Sequence, residues 1–346
     1  MKHQTTRYGE IPFYKIGTFG NTADAFISKK LFLEYKTKYS FPKKGDILIS
    51  ASGTIGRAVI YDGKPAYFQD SNIVWIDNDE TLVKNNFLFY AYSNVKWNTE
   101  HTTILRLYND NFRNTLIPLP PLNEQSAIAN ILNDLDRYLC TLDALILKKE
   151  GVKKALSFEL LSQRKRLKGF NQAWQRVRLG DIANYLTSNL SAEQITQQGK
   201  IKVYDVNNFI GYTDTTFISD KPYISIVKDG SVGRVRILPP KTNILSTMGA
   251  LIANHRTTTE FLFYLLSNFD FKNFTSGSII PHIYFKDYKE KTIFLPPLNE
   301  QSAIANILSA LDNEIASLKN KKRQFDNIKK ALNHDLMSAK IRVLKK

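Results

Sequence analysis

The sequence predicts an α+β protein arranged as a tandem repeat. Two domains of mixed, mostly antiparallel sheet with helices are joined by two long antiparallel coiled-coil helices, related by a pseudo-two-fold. Three observations predict this. The string LPPLNEQSAIANIL occurs at residues 119–132 and again, letter for letter, at 295–308. A heptad-like apolar seam follows each copy. Short β-type runs bounded by Gly, Pro and Asp fill residues 1–118 and 169–294. A period of 176 residues is too long for a solenoid and reads as two copies of one domain plus one connecting element. The expected boundaries are 1–122 (first domain), 123–168 (first helix), 169–298 (second domain) and 299–346 (second helix).

The repeated string explains the helices. Pro120-Pro121 and Pro296-Pro297 force an extended approach. Asn123 and Asn299 then suit the N-cap, with Glu124 and Glu300 at the positive end of the helix dipole. Apolar residues recur at spacings of four and three: Ile128, Leu132, Leu135, Leu139, Leu142 and Ile146 in the first copy. The second has Ile304, Leu308, Leu311, Ile315 and Leu318, then Phe325, Leu332 and Leu336. That is a coiled-coil seam, interrupted at Lys149 and Lys322. About 40 residues per helix gives roughly 60 Å. KKAL at 153–156 matches KKAL at 329–332, and Asp136 matches Asp312.

In the domains, strands are expected at 47–50, 72–76 and 201–206, and short helices at 87–93 and 261–267. Two related loops stand out. Ser52, Gly53, Thr54, Ile55, Gly56 and Arg57 are echoed by Asp229, Gly230, Ser231, Val232, Gly233 and Arg234. Glycine lets backbone approach a ligand closely, and arginine reads guanine or phosphate, so both loops are candidate DNA contacts. Tyrosines and lysines interleave over residues 29–44, as on a nucleic-acid face, a solvated loop or an amphipathic edge.

Composition bounds the function. The 346 residues are 43% apolar, 12% aromatic and 23% charged, an ordinary globular mixture long enough for at least two domains. Lys and Arg number 48 against 32 Asp and Glu, a net +16 that points to a polyanion, nucleic acid first. Residues 148–168 carry eight positive and two negative side chains, and residues 319–346 carry ten and two. Arg164, Lys165 and Arg166 in the first cluster are candidate DNA contacts. The lone Cys140 excludes a disulfide framework and a cysteine zinc site. His3, His101, His255, His282 and His334 never fall at HExxH spacing. The opening residues have no signal-like apolar region, and the longest apolar run, 261–266, cannot cross a bilayer, so a cytoplasmic protein without a membrane partner is expected.

Catalytic motifs are absent from the sequence. It has no P-loop, no [ND]PP[YF] tetrapeptide and no glycine-rich S-adenosylmethionine loop. Asp24 with Glu34 and Lys36 resembles a metal-dependent nuclease pattern, in a segment that reads as a loop and has no counterpart in the other half. A self-contained nuclease is therefore one alternative, and a coiled-coil scaffold that binds only proteins is another.

Two variable domains, each followed by LPPLNEQxxIAxIL and a long helix, resemble the specificity subunit of type I restriction–modification systems. WQRVRLGDIA at 174–183 is similar to the opening of a target-recognition domain of that family. The resemblance covers essentially the whole chain. It implies two target-recognition domains, each reading half of a split double-stranded DNA sequence, with the helices setting the unread spacer. It implies no catalytic centre and no cofactor on this chain. Two methyltransferase subunits would bring S-adenosylmethionine, and restriction subunits would bring ATP and magnesium. Docking of the methyltransferase subunits would fall on Leu119, Pro120, Pro121, Leu122, Glu124 and Gln125, and on Leu295, Pro296, Pro297, Leu298, Glu300 and Gln301. One departure stands out. The second domain has 25 residues (174–198) before Gly199, whereas the first has eight before Gly9 and no LGDI-like segment. That implies an N-terminally shortened first domain, a start further upstream, or a recombined or silent variant.

Overall fold

The computed structural model describes residues 4–68, 72–97 and 105–344. His3, His101, Lys345 and Lys346 lie outside them. The chain forms two compact units, residues 1–143 with 320–346, and residues 144–319. Each unit takes part of both long helices, where the sequence boundaries had set the helices apart.

In the first unit β1 (Ile11–Phe13) pairs antiparallel with β2 (Ala25–Ile27). Helix α1 (Lys29–Lys38) follows, capped by the Ser28 hydroxyl, which accepts from the Leu31 N–H at 3.2 Å. Phe32 is buried beside Phe13, Ile27 and Tyr67, with Tyr35 and Phe41 packed against them. The alternating Tyr/Lys stretch is thus an amphipathic helix whose aromatic side faces the core. Strand β3 (Ile47–Ser50) lies between β4 (Ala58–Ile60) and β5 (Ile73–Trp75), all antiparallel. Helices α2 (Asn85–Tyr92), α3 (Asn109–Arg113) and α4 (Leu122–Leu161) complete the order.

The second unit opens with β6 (Gln175–Arg178), β7 (Ala183–Thr187), β8 (Ile201–Tyr204) and β9 (Phe209–Thr213). There follow β10 (Tyr223–Val227), β11 (Val235–Leu238), β12 (Asn243–Ile244), β13 (Met248–Ala253) and α5 (Thr259–Ser267). Last come β14 (Thr275–Ser276), β15 (His282–Ile283), α6 (Phe285–Tyr288), β16 (Thr292–Leu295) and α7 (Leu298–Met337). Its main sheet has the antiparallel order β11-β10-β13-β7; the second sheet, β12-β8-β9, contains the parallel pair β12-β8. The main core gathers Ile224, Ile226 and Leu251 of that sheet with Phe261 and Leu262 of α5 and Ile304 and Leu308 of α7.

Helices α4 and α7 are 40 residues each. Both begin one residue before the asparagine expected to cap them. The Pro121 and Pro297 carbonyls accept the first turn's bonds from the Gln125 and Gln301 N–H groups, each at 2.9 Å. The second proline of each pair thus takes the cap position, leaving Asn123 and Asn299 inside the first turn. Both helices stop short of the expected 168 and 346. Gln163 and Ala339, at matching places in the two copies, adopt φ of 62° and 55° and turn the chain out of the helix.

The seam forms as the spacing predicts. Ile128, Leu132, Leu139, Leu142 and Ile146 are buried on α4, and Ile304, Leu308, Ile315 and Leu336 on α7. In the first unit Asp136 pairs with Lys329 and Asp143 with Lys322, and the Tyr138 and Phe325 rings meet at 4.8 Å. In the second unit Lys149 pairs with Glu314, Glu150 with Lys319 and Lys153 with Asp312. Residue numbers fall on one helix as they rise on the other, so the packing is antiparallel. The interruptions at Lys149 and Lys322 are cross-helix ion pairs.

Candidate nucleic-acid interface

The matched lysines and aspartates of the repeat are used crosswise. The Tyr90 hydroxyl donates to Asp136 at 2.8 Å while Lys329 pairs with the same carboxylate. The Tyr264 hydroxyl donates to Asp312 at 2.9 Å, with Lys153 on its other oxygen. Burial, and then the facing carboxylate, raise both phenols above their ordinary range. The KKAL lysine of each copy therefore binds the aspartate of the other copy.

The same exchange holds the helix starts. Glu300 is 1% exposed and accepts from Arg166 Nη2 at 2.6 Å and from the Trp174 indole at 2.9 Å. Glu124, 3% exposed, accepts from Arg342 Nε at 3.1 Å and also from its Nη2. Gln125 and Gln301 are fully buried. The Gln125 amide donates to the Leu82 and Pro120 carbonyls, and its oxygen accepts from the Lys84 N–H. The Gln301 amide donates to the Arg256 and Pro296 carbonyls, and its oxygen accepts from the Thr258 N–H. Each glutamine thereby fastens a long helix to the start of α2 or α5.

These contacts correct several sequence expectations. Glu124, Gln125, Glu300 and Gln301 are internal ties, because their polar atoms are spent inside the fold. Leu295 and Pro296 are buried as well. Of the expected docking residues, Leu119, Pro121, Leu122 and Leu298 are exposed, and Pro120 and Pro297 are partly so. Arg166 is committed to Glu300. The basic clusters owe much of their charge to such pairs, while Arg164 stacks over Phe158 at 4.5 Å and stays exposed with Lys165.

The Arg342 guanidinium holds the Glu124 carboxyl below its ordinary value of 4.5. A depressed carboxylate stabilises the fold above that value and loses its contribution as pH falls through its lower folded value. Glu124→Gln is expected to lower the urea midpoint at pH 7. The difference from the parent protein should shrink to nothing as the pH drops well below 4.5. A difference that persists in acid would contradict the pairing.

The glycine loops are the tips of matching hairpins, β3–β4 and β10–β11. In the first, the Gly56 N–H donates to the Ser50 carbonyl at 3.0 Å; in the second, the Gly233 N–H donates to the Val227 carbonyl at 2.9 Å. Gly53, Gly56, Gly230 and Gly233 all have positive φ, between 66° and 85°. A Cβ on Gly56 would lie 2.3 Å from the Trp97 indole, and one on Gly233 would lie 2.6 Å from the Phe271 ring. These two glycines serve an inward contact. Gly53, Thr54, Gly230 and Ser231 face solvent, while Ser52 is buried. Arg57 and Arg234 are both exposed; the Arg57 guanidinium donates to the Phe19 carbonyl at 3.0 Å.

The sequence did not single out His282. Its ring lies 2.6 Å from Asp229, and Gly230 N–H donates to the Pro281 carbonyl at 2.9 Å. The segment before β15 is thus laced to the hairpin tip. The partners are 53 residues apart, so no local pattern announces them. The nuclease pattern does not assemble. Asp24 pairs with Lys15 at 2.9 Å, and Glu34 and Lys36 sit exposed on α1, a helix where a loop was expected. Among the described residues no three His, Cys, Asp or Glu side chains gather to hold a metal, and no helix is long and apolar enough to cross a membrane.

Two hairpin-bearing units, each built on part of one reciprocally clasped helix pair, define a duplicated binding subunit. The chain belongs to the type I restriction modification DNA specificity domain family, whose model matches residues 1–149 and 171–325. A type I restriction enzyme specificity subunit of Haemophilus influenzae is 63% identical over 137 residues, covering 39% of this chain and 36% of that relative. The MjaX specificity subunit of Methanocaldococcus jannaschii is 28% identical over 335 residues, covering 86% and 79%. Among solved structures, the type I restriction–modification S subunit from M. genitalium shares the fold, with a TM-score of 0.63 and 20% identity over 97% of this chain and 91% of that one.

Proposed function

We propose that this chain is the non-catalytic, DNA-binding specificity subunit of a type I restriction–modification complex. Each unit reads one half of a two-part duplex target through its hairpin tip: Gly53, Thr54 and Arg57 in the first, Gly230, Ser231 and Arg234 in the second. Arg164 and Lys165 add phosphate contacts. The helices set the number of unread base pairs. Two methyltransferase subunits dock on the exposed residues of the repeated motif, Leu122 and Leu298 with Asn123 and Asn299, and restriction subunits complete the cytoplasmic complex. S-adenosylmethionine, ATP and magnesium reside on those partners.

The observation that supports this reading best is the repetition itself. Two matching clasps carry two hairpin tips of similar backbone and different side chains, as one shared partner and two different readouts require. Mapping methylated adenines in cells with and without this chain tests it. A two-part methylated motif should vanish when the gene is removed. An unchanged methylation pattern would overturn the reading.

A further inference from the structure

The hairpin tip of the second unit has a companion loop. Strand β14 pairs antiparallel with β15, Thr275 opposite Ile283 and Ser276 opposite His282, and residues 277–281 close the turn between them. The closure is tight. Gly277 has φ of 88°, and a Cβ there would lie 2.3 Å from the Ile280 carbonyl oxygen and 3.0 Å from the His282 ring, so the turn needs glycine. Three ties fasten the loop to the tip. The Gly230 N–H donates to the Pro281 carbonyl and the Ile283 N–H to the Lys228 carbonyl, both at 2.9 Å, and the His282 ring meets the Asp229 carboxylate at 2.6 Å. Loop and tip are held as one piece.

What the loop presents is apolar. Ile279 is 92% exposed and Ile280 55%, side by side at its apex. Single exposed apolar residues are ordinary on a protein surface. Two adjacent isoleucines on a closed, anchored turn are not explained by folding, since neither is buried in the core. Residues 275–283 hold no Asp, Glu, Lys or Arg, so the loop has no charge to offer a phosphate. The flanking residues have one. Residues 228–234 and 284–286 carry three cations, Lys228, Arg234 and Lys286, against one carboxylate, Asp229, which is turned to His282. An apolar apex in a basic frame suits duplex DNA, with phosphate outside and base faces and thymine methyls within. The lacing recurs in the first unit. Arg106 bridges Ser52 as His282 bridges Asp229, and the Leu107 N–H donates to the Ala51 carbonyl at 2.8 Å. Leu105, in the place of Pro281, is 47% exposed.

We propose that Ile279 and Ile280 are base contacts of the second unit, covering nonpolar base surface in the half of the target that the hairpin tip reads. The inference rests on the DNA-reading function proposed above and adds residues to it. Arg234 and Ser231 recognise donors and acceptors on a base edge. An isoleucine recognises what they do not, a thymine methyl or the face of an unstacked base. Either contact takes exposed apolar surface out of water, so it needs neither a hydrogen bond nor a charge.

Binding is measured with the full chain in complex with its methyltransferase subunits, by competition at fixed salt. Ile279→Ser and Ile280→Ser should each weaken binding of the specific duplex about tenfold and leave the salt dependence as it was, because no phosphate contact is lost. Both positions are exposed, so the urea midpoint should not move. Two probes then tell the nonpolar surfaces apart. If the contact is a methyl, deoxyuridine in place of one thymine should weaken the parent about fourfold, the worth of one methyl-sized group, and leave the Ile279→Ser variant indifferent. If the contact is an unstacked base, a 2-aminopurine in the same half should brighten with the parent and stay dark with the variant. Either result supports the proposal. Parent-like affinity of both variants would overturn it, as would a loss that neither probe registers. Arg234→Ala, run alongside, keeps the two claims apart. Relaxed discrimination there with parent-like isoleucine variants removes only the loop contact, whereas a parent complex that binds all duplexes equally removes both.

Discussion

Glu300→Ala is expected to cost the second unit about 3–5 kcal/mol, the usual penalty for removing one member of a buried charge pair. The carboxylate is 1% exposed and holds two groups at once, the Arg166 guanidinium at 2.6 Å and the Trp174 indole at 2.9 Å. Its removal strands a partly exposed cation and a buried indole N–H. Glu300→Gln keeps an acceptor for the indole and loses the charge, so an intermediate loss is expected. Urea unfolding followed by fluorescence reads this directly, because Trp174 is the only one of the three tryptophans in the second unit. The decisive contrast is with docking. If Glu300→Ala left the unfolding midpoint unchanged and abolished methyltransferase binding, the glutamate would be a docking residue after all.

That contrast shows how far the sequence could be read. The seam was legible because Leu132, Leu139 and Leu142 obey a local period that survives whatever packs against them. The hairpin tips were legible because positive φ at Gly53 and Gly230 demands glycine. Glu300 and Gln301 were visible as repeated letters, but their role was not. Repetition looks the same whether it preserves a partner's footprint or an internal tie. Arg166 lies 134 residues from Glu300, and Arg342 lies 218 from Glu124. Only the antiparallel fold brings the late part of one copy to the early part of the other. Arg166 therefore reads as a free cation in the sequence and as a clamp in the structure. Residues 29–44 were ambiguous for a different reason. Tyrosine and lysine suit a nucleic-acid face and an amphipathic edge alike, and the burial of Phe32 shows the amphipathic helix.

Arg234→Ala should reduce affinity for the two-part target by about 10–100-fold, or about 1–3 kcal/mol, the range for an arginine that reads a base edge bidentately. The backbone at this position is fixed without the side chain: the Arg234 carbonyl accepts from the Val227 N–H, and the Gly233 N–H donates to the Val227 carbonyl, both at 2.9 Å. No ion pair or hydrogen bond among the described residues engages the guanidinium, so truncation should leave the unfolding midpoint where it was. Arg57 differs, because its guanidinium already donates to the Phe19 carbonyl. Replacing it should disturb the first hairpin as well as DNA binding. The measurement is competition binding by the complex with its methyltransferase subunits, against duplexes changed one base at a time at fixed salt. Discrimination should relax within one half of the target and persist in the other. Lysine at 234 should not restore it, because a point charge does not reproduce a planar two-pronged donor. A uniform loss across all sequences, with the salt dependence lowered by about one phosphate, would place Arg234 on the DNA backbone and remove it from base reading.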